Sequence, residues 1–362
     1  MLYNLLYPLH DKISFLNLFR YITFRASMAA LTAFLLSLVF GPMIIRKLKA
    51  MKIGEKVIKE DSKRLDDLHN TKCGTPTMGG IFVIIAIVLS TVLWADISNH
   101  FIILALLSTV WLGVTGFIDD YLKQVKKKSK GLTVASKLTS QIILGLILGV
   151  VLYISPEHST RLDLPFFKGV SWDIGILYIL FVILVLTGTS NAVNLTDGLD
   201  GLAVGCVIIV AFTFSILSYV TGNIKFAGYL LIPYIRGSGE LTVFCSSILG
   251  AGLGFLWFNC YPAAIFMGDV GSLALGGALG IVALLIKKEL LLVIVGGIFV
   301  IEALSVILQV GTFRLFKKRI FKIAPLHHHF QFMGVPESKV ITRFWIVAIL
   351  LGLLTLVTLK LR

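Results

Sequence analysis

Ten apolar stretches of about twenty residues recur along this 362-residue chain, and they constrain its fold more than any other feature. A helix that crosses a bilayer needs about twenty consecutive apolar residues. The stretches are Tyr21–Ile45, Met78–Ala95, Phe101–Ile118, Leu138–Ile154, Ile174–Val193, Leu199–Val220, Leu241–Trp257, Ser272–Ile286, Leu290–Arg314 and Thr342–Leu359. They predict an all-α, polytopic integral membrane protein with about ten transmembrane helices, a single domain over residues 1–362. Composition agrees, with 57% hydrophobic residues, 14% charged residues and a mean hydropathy of +0.93. The first stretch is too long for a signal-peptide core and has no small-residue cleavage site, so it reads as a spanning helix. Cys73, Cys206, Cys245 and Cys260 are scattered with no CxxC pair, which gives neither a disulfide framework nor a zinc site.

The net charge of +14 bears first on orientation. Lys and Arg concentrate in Arg46–Lys72, Lys123–Lys137 and Arg314–Lys339, which all fall on one set of alternating loops. The positive-inside rule makes that set cytoplasmic. Both termini are then expected on the outer, periplasmic side, and no nucleic-acid partner is needed to explain the basic pI.

The polar residues that interrupt the apolar pattern gather at the inner helix ends. In Thr187–Ala203, TGTSNAVNLTDGLDGLA, the amides Asn191 and Asn194 and the carboxylates Asp197 and Asp200 lie among glycines and hydroxyls. Polar backbone at membrane depth persists only where protein or a water-filled cavity satisfies it. The i, i+3 spacing puts Asp197 and Asp200 on one face if the segment is helical, whereas an Asx-capped turn into the next helix is the plainer alternative. Asp119 and Asp120 end an apolar run, and adjacent helical residues point about 100° apart, so each is expected to have its own partner. Lys137 and Gln141 enter the next span. In the loop before the second span, Lys72, Gly74, Thr75 and Pro76 lead into Gly79-Gly80, a turn feeding a helix start, which suits an anion such as phosphate. Asn259, Phe266 and Asp269 occupy the interrupted segment WFNCYPAAIFMGDVGS. An aromatic beside an amide can stack on a flat base, and a carboxylate at a glycine-flanked helix entrance suits Mg²⁺ or a cap. His327, His328 and His329 are consecutive and lack zinc-site spacing, so hydrogen bonding to phosphate or substrate is the expectation. Glu302, deep in an apolar run, is expected to face the bundle interior and to be functional.

Lys72 with GTPTMGG at 74–80, FIDDYLK at 117–123, NAVNLTDGLDGLA at 191–203, FMGDVGSLALGG at 266–277 and APLHHH at 324–329 together resemble the phospho-N-acetylmuramoyl-pentapeptide transferases. These form a branch of the polyprenyl-phosphate N-acetylhexosamine-1-phosphate transferase superfamily, and the resemblance runs in order along essentially the whole chain. It implies a ten-helix, dimeric enzyme of the bacterial inner (cytoplasmic) membrane with its active-site cleft facing the cytoplasm. The implied reaction moves phospho-MurNAc-pentapeptide from UDP-MurNAc-pentapeptide to undecaprenyl phosphate, giving lipid I and UMP, with Mg²⁺ as cofactor. This is the first membrane step of peptidoglycan synthesis. Among the residues, the resemblance makes Asp119, Asp120 and Asp269 catalytic acids, with Asp269 as the metal ligand. It puts Lys72, Asn194, Asp197, Asp200, Asn259 and Phe266 around the nucleotide and diphosphate, and it matches Lys137, Gln141 and His327 to His329. Thr75, Lys123 and Asn191, in the same motifs, are read as substrate-binding with them. Gln331 and Val335 depart from the family pattern after the histidines, where Glu and the Trp of Gly-Trp are common, as do Ala135 and Ser136 beside Lys137.

Transfer between two phosphates brings anions together, so its catalysis is chiefly charge neutralisation and alignment. Direct transfer with Asp119 assisting the acceptor is the expectation, and a covalent route through Asp269 or Asp120 is the alternative. Rival readings are a sister transferase using UDP-GlcNAc and, from another class, a secondary transporter. The latter also breaks helices with polar residues, but typically at the membrane midplane.

Overall fold

A computed structural model of the protein describes residues 1–51, 74–126, 131–156, 158–167 and 170–360, so Lys72 lies outside the described residues. Helix dominates them. After a short α1 (Leu2–Leu6) come α2 (Ile22–Ala50), α3 (Gly80–Trp94), α4 (His100–Gln124), α5 (Val134–Ile154), α6 (Leu177–Thr196) and α7 (Leu202–Thr221). The short α8 (Ile224–Leu230) precedes α9 (Leu241–Asn259), α10 (Gly268–Leu285), α11 (Glu289–Val295), α12 (Gly297–Phe316), α13 (Leu326–Phe332) and α14 (Glu337–Thr358). Among the described residues nine helices are long and apolar enough to cross a membrane, and α3 is a further apolar helix of 15 residues. This is an all-α, multi-pass membrane protein. The small exception is a hairpin of β1 (Arg161–Asp163) and β2 (Ser171–Asp173), antiparallel with Leu162 opposite Trp172.

One expected span is divided. Leu290–Arg314 breaks at Gly296, which ends α11 before α12 begins. Two successive glycines at 296 and 297 carry the lowest helix propensity short of proline, and nothing in the apolar pattern marks the interruption.

The bundle is built around α10, in which every residue from Val270 to Leu285 is buried. Its sequence GDVGSLALGGALG is rich in small residues, which let helices approach closely without a hydrophobic driving force between them. A Cβ added at Gly80 would strike the Gly271 backbone, one at Gly116 the Asp269 carbonyl, and one at Gly277 the Leu112 side chain. α3 and α4 therefore lie almost backbone to backbone against α10, and α6 does so at Gly276, where a Cβ would meet the Thr189 carbonyl.

At the end opposite the acidic motifs, buried Arg25 and half-buried Glu240 form a bidentate pair, with Nη1–Oε2 2.7 Å and Nη2–Oε1 2.6 Å. Glu240 also accepts from the Asp96 N–H, and the guanidinium lies 4.5 Å from the Tyr3 ring centroid. Near the hairpin, Tyr178 donates to Glu289, which also receives Lys287, while His158 meets the Tyr178 hydroxyl. Removing one partner of a buried ion pair strands the other charge. Glu240→Ala is expected to cost roughly 3–5 kcal/mol, read as a lowered unfolding midpoint in detergent. A midpoint within a degree of the parent would show that the pair contributes nothing.

Candidate active site

Asp119 and Asp120 lie near the end of α4 and are 1% and 4% exposed, while Asp269 lies in the first turn of α10. The crossing at Gly116 brings these helix ends together, and each of the three acids offers an oxygen within 4.8 Å of the others. Gly268 enters α10 at φ +75°, a conformation glycine adopts freely, and a Cβ there would meet Asp120 Oδ2 at 2.5 Å.

The neighbouring carboxylates do take different partners. Asp119 Oδ2 faces Lys123 Nζ at 2.5 Å and Lys137 Nζ at 3.1 Å, and its Oδ1 accepts from the Leu132 N–H at 2.7 Å. Asp120 Oδ2 instead accepts from the Val270 N–H at 3.1 Å. Asp269 completes the arrangement: its Oδ2 receives Lys137 at 2.6 Å and Lys123 at 3.1 Å, and its Oδ1 accepts from Asn194 Nδ2 at 2.9 Å. Three carboxylates and two ammonium groups thus meet at this end of the bundle. The donor set is entirely carboxylate oxygen, the chemistry that Mg²⁺ selects over softer metals. Beside it a cavity of about 430 Å³ is lined by Asp119, Lys123, Leu132, Val134, Lys137, Leu138, Gln141 and Asn191. Gln141 donates to Ser190 Oγ and accepts from Asn191 Nδ2, so the two amides brace one another on the cavity wall.

Asp197 and Asp200 do not share a helical face. α6 ends at Thr196, and the chain turns through Asp197 (φ −78°, ψ 49°) to Gly201 in the left-handed region at φ +79°. The backbone is a turn, but without the Asx cap of that alternative: α7 is capped by Gly201, which has no side chain, and side chains from distant elements hold the turn. Asp200 Oδ2 accepts from the Ala263 N–H, the Asp200 N–H donates to Glu337 Oε1, and the Gly201 N–H donates to Asn259 Oδ1. Asn259 Nδ2 donates to the Ile265 carbonyl, so both ends of its amide engage backbone. Phe266 is half-buried, and its segment pairs with the loop carrying half-buried Thr75: Phe266 N–H donates to Pro76, Gly79 N–H to Phe266 and Gly80 N–H to Met267.

The three histidines diverge. His327 is fully buried against Glu302, His328 meets Gln331 Oε1 at 2.9 Å, and His329 Nδ1 accepts from the Lys322 N–H at 3.1 Å. Gln331 also reaches Glu337, at 3.5 Å. The sequence reading missed Glu337 and the Leu132 N–H. An acid directly after Pro336 does read as a first-turn helix residue, but only its contact with Asp200 gives it a place here.

A model of glycosyl transferase family 4 matches residues 101–287, from the second residue of α4 to just past α10. Curated relatives named phospho-N-acetylmuramoyl-pentapeptide-transferase match over 100% of both chains. That from Desulforapulum autotrophicum is 54% identical, that from Citrifermentans bemidjiense 55% and that from Geobacter sp. 54%. With an acid and lysine constellation inside the matched segment and full-length relatives at this identity, the chain belongs to glycosyl transferase family 4 and, within it, to the phospho-N-acetylmuramoyl-pentapeptide-transferases.

Proposed function

We propose that this protein transfers phospho-MurNAc-pentapeptide from UDP-MurNAc-pentapeptide to undecaprenyl phosphate, releasing UMP and leaving lipid I in the bilayer. The observation that carries this reading is the convergence of Asp119, Asp120 and Asp269 with Lys123 and Lys137 beside an open cavity. An acceptor phosphate oxygen attacks the sugar-bearing phosphorus, the bond from that phosphorus to the bridging oxygen breaks, and UMP leaves with the electron pair. Both reactants are anions, so the protein's task is to align them and to offset their charge. Asp269, with Asp119 and Asp120 alongside, would hold Mg²⁺, which would add positive charge to offset that of the substrates. Lys123 and Lys137, which bridge Asp119 and Asp269 here, turn to phosphate oxygens when substrate enters. Asp119 orients the acceptor phosphate and takes its proton if it arrives protonated.

Asn194 holds Asp269, and Asp197 and Asp200 keep the turn beneath the nucleotide. Lys72 and Thr75 cradle phosphate, Asn259 and Phe266 frame the base, and His328 and His329 with Gln141 and Asn191 bound the rest of the cleft, while His327, expected among them, is fully buried behind the 197–201 turn and acts from there. Basic loops on the same side as this cleft support a cytoplasmic active site with both termini periplasmic, in the bacterial inner membrane. The family resemblance supports a homodimer.

The test is UMP release by purified protein. Release is expected only when undecaprenyl phosphate and Mg²⁺ are both present. Release without the lipid acceptor, or none with every component supplied, would overturn the reading. Incubation with the nucleotide substrate alone separates the two chemical routes: direct transfer leaves the enzyme unphosphorylated, and a trapped phosphorylated carboxylate would replace it with the covalent one.

A further inference from the structure

Glu302 is fully buried in α12, and the machinery described above gives it no task. Its carboxylate nevertheless meets two successive residues at the start of α13. Oε2 accepts from the Leu326 N–H at 2.8 Å and lies 3.1 Å from His327 Nδ1, and Oε1 accepts from the His327 N–H at 3.1 Å. A lone carboxylate at this depth would be costly, and the two backbone donors relieve that cost. The far side of the imidazole is informative. Neither ring nitrogen has a hydrogen-bond partner among the described residues, and a Cβ added at Gly198 would run into Nε2. Gly198 sits in the turn between Asp197 and Asp200 and does not have positive φ, so only the room it leaves for His327 argues for glycine there.

We infer that Glu302 is a positioning residue for the transfer reaction: through His327 it braces the 197–201 turn from behind and thereby holds Asn194 against Asp269. The path is continuous, from Glu302 to the imidazole, from the imidazole to Gly198, and from that turn to Asn194 at the end of α6, whose amide donates to Asp269 Oδ1. Glu302 holds the His327 backbone N–H and lies against its ring, which keeps the Nε2 edge of the imidazole against the turn, and it touches no substrate itself. Glutamine at 302 keeps the volume but presents an amide N–H to one of these donors.

This inference rests on the proposed transferase reading, and a double-mutant cycle separates the two. The parent protein must release UMP in the presence of acceptor; if it does not, the transferase reading has failed. With an active parent, Glu302→Gln and Gly198→Ala are each expected to lower kcat by roughly 10- to 100-fold. KM for UDP-MurNAc-pentapeptide should stay within about twofold, because no substrate contact is removed. The double variant should be no slower than the worse single one, a coupling of about tenfold or more. If Gly198→Ala does not fold, His327→Asn takes its place in the cycle. Multiplicative losses, an unchanged kcat for Glu302→Gln, or a raised KM with kcat intact would overturn the inference.

Discussion

Asp269→Asn is expected to abolish transfer while leaving the protein folded and inserted. Asparagine has the same shape and its oxygen can still accept from Asn194 Nδ2, so the entry to α10 survives. Asp269 Oδ2, however, receives both Lys123 and Lys137, and its charge is one of three that would hold a cation. Replacing it with an amide removes that charge and points an N–H pair at two ammonium groups. The loss falls on the stabilisation of charge at the reacting phosphates, so kcat should fall by roughly 10³-fold or more. UMP release over a Mg²⁺ titration is the measurement, with detergent gel filtration as the control for folding. Activity that returns to the parent level at saturating Mg²⁺ would remove Asp269 from the metal role.

The second large effect comes from a residue with no functional group. Gly116 lies where α4 crosses α10, and a Cβ there would collide with the Asp269 carbonyl. Gly116→Ala must therefore separate the two helices. Asp119 and Asp120 lie on one of them and Asp269 on the other, so the separation acts directly on the spacing of the three carboxylates. A misplacement of about 1 Å at reacting groups is enough to cost roughly 10²-fold in rate, and that is the expected fall in kcat. Gly311 in α12 is the matching control. Its added methyl would meet open space, and Gly311→Ala should leave UMP release unchanged. Equal activity in the two variants would mean that the crossing does not set the spacing of the acids.

Much of this protein was legible along the chain because a bilayer imposes a one-dimensional rule. Hydrocarbon requires long apolar helices, so the spans could be read from composition and length. The alternation of those spans then put Asp119, Asp269, Asn194 and His327 at the same end before any contact was known. The helical repeat alone separated the faces of Asp119 and Asp120. What the pattern did not show were features that depend on a partner far away in sequence. Glycine pairs are common in membrane helices, so the break at Gly296 looked like its unbroken neighbours. The 197–201 turn carried the spacing of a helix face, and tethers to Ala263, Glu337 and Asn259 hold it as a turn.

The order of residues along the chain settles the class of molecule, the end of the bundle at which its polar chemistry collects, and the residue types available there. Which carboxylate meets which lysine, that Asp120 faces the α10 backbone, and that Glu302 and His327 stand behind the turn at Gly198 follow from the folded bundle alone. The physical reason is that burial and hydropathy act on each segment separately. The partner of a buried charge is set by where two helices cross, and in this bundle that depends on Gly80, Gly116 and Gly271, residues with no side chain to announce it.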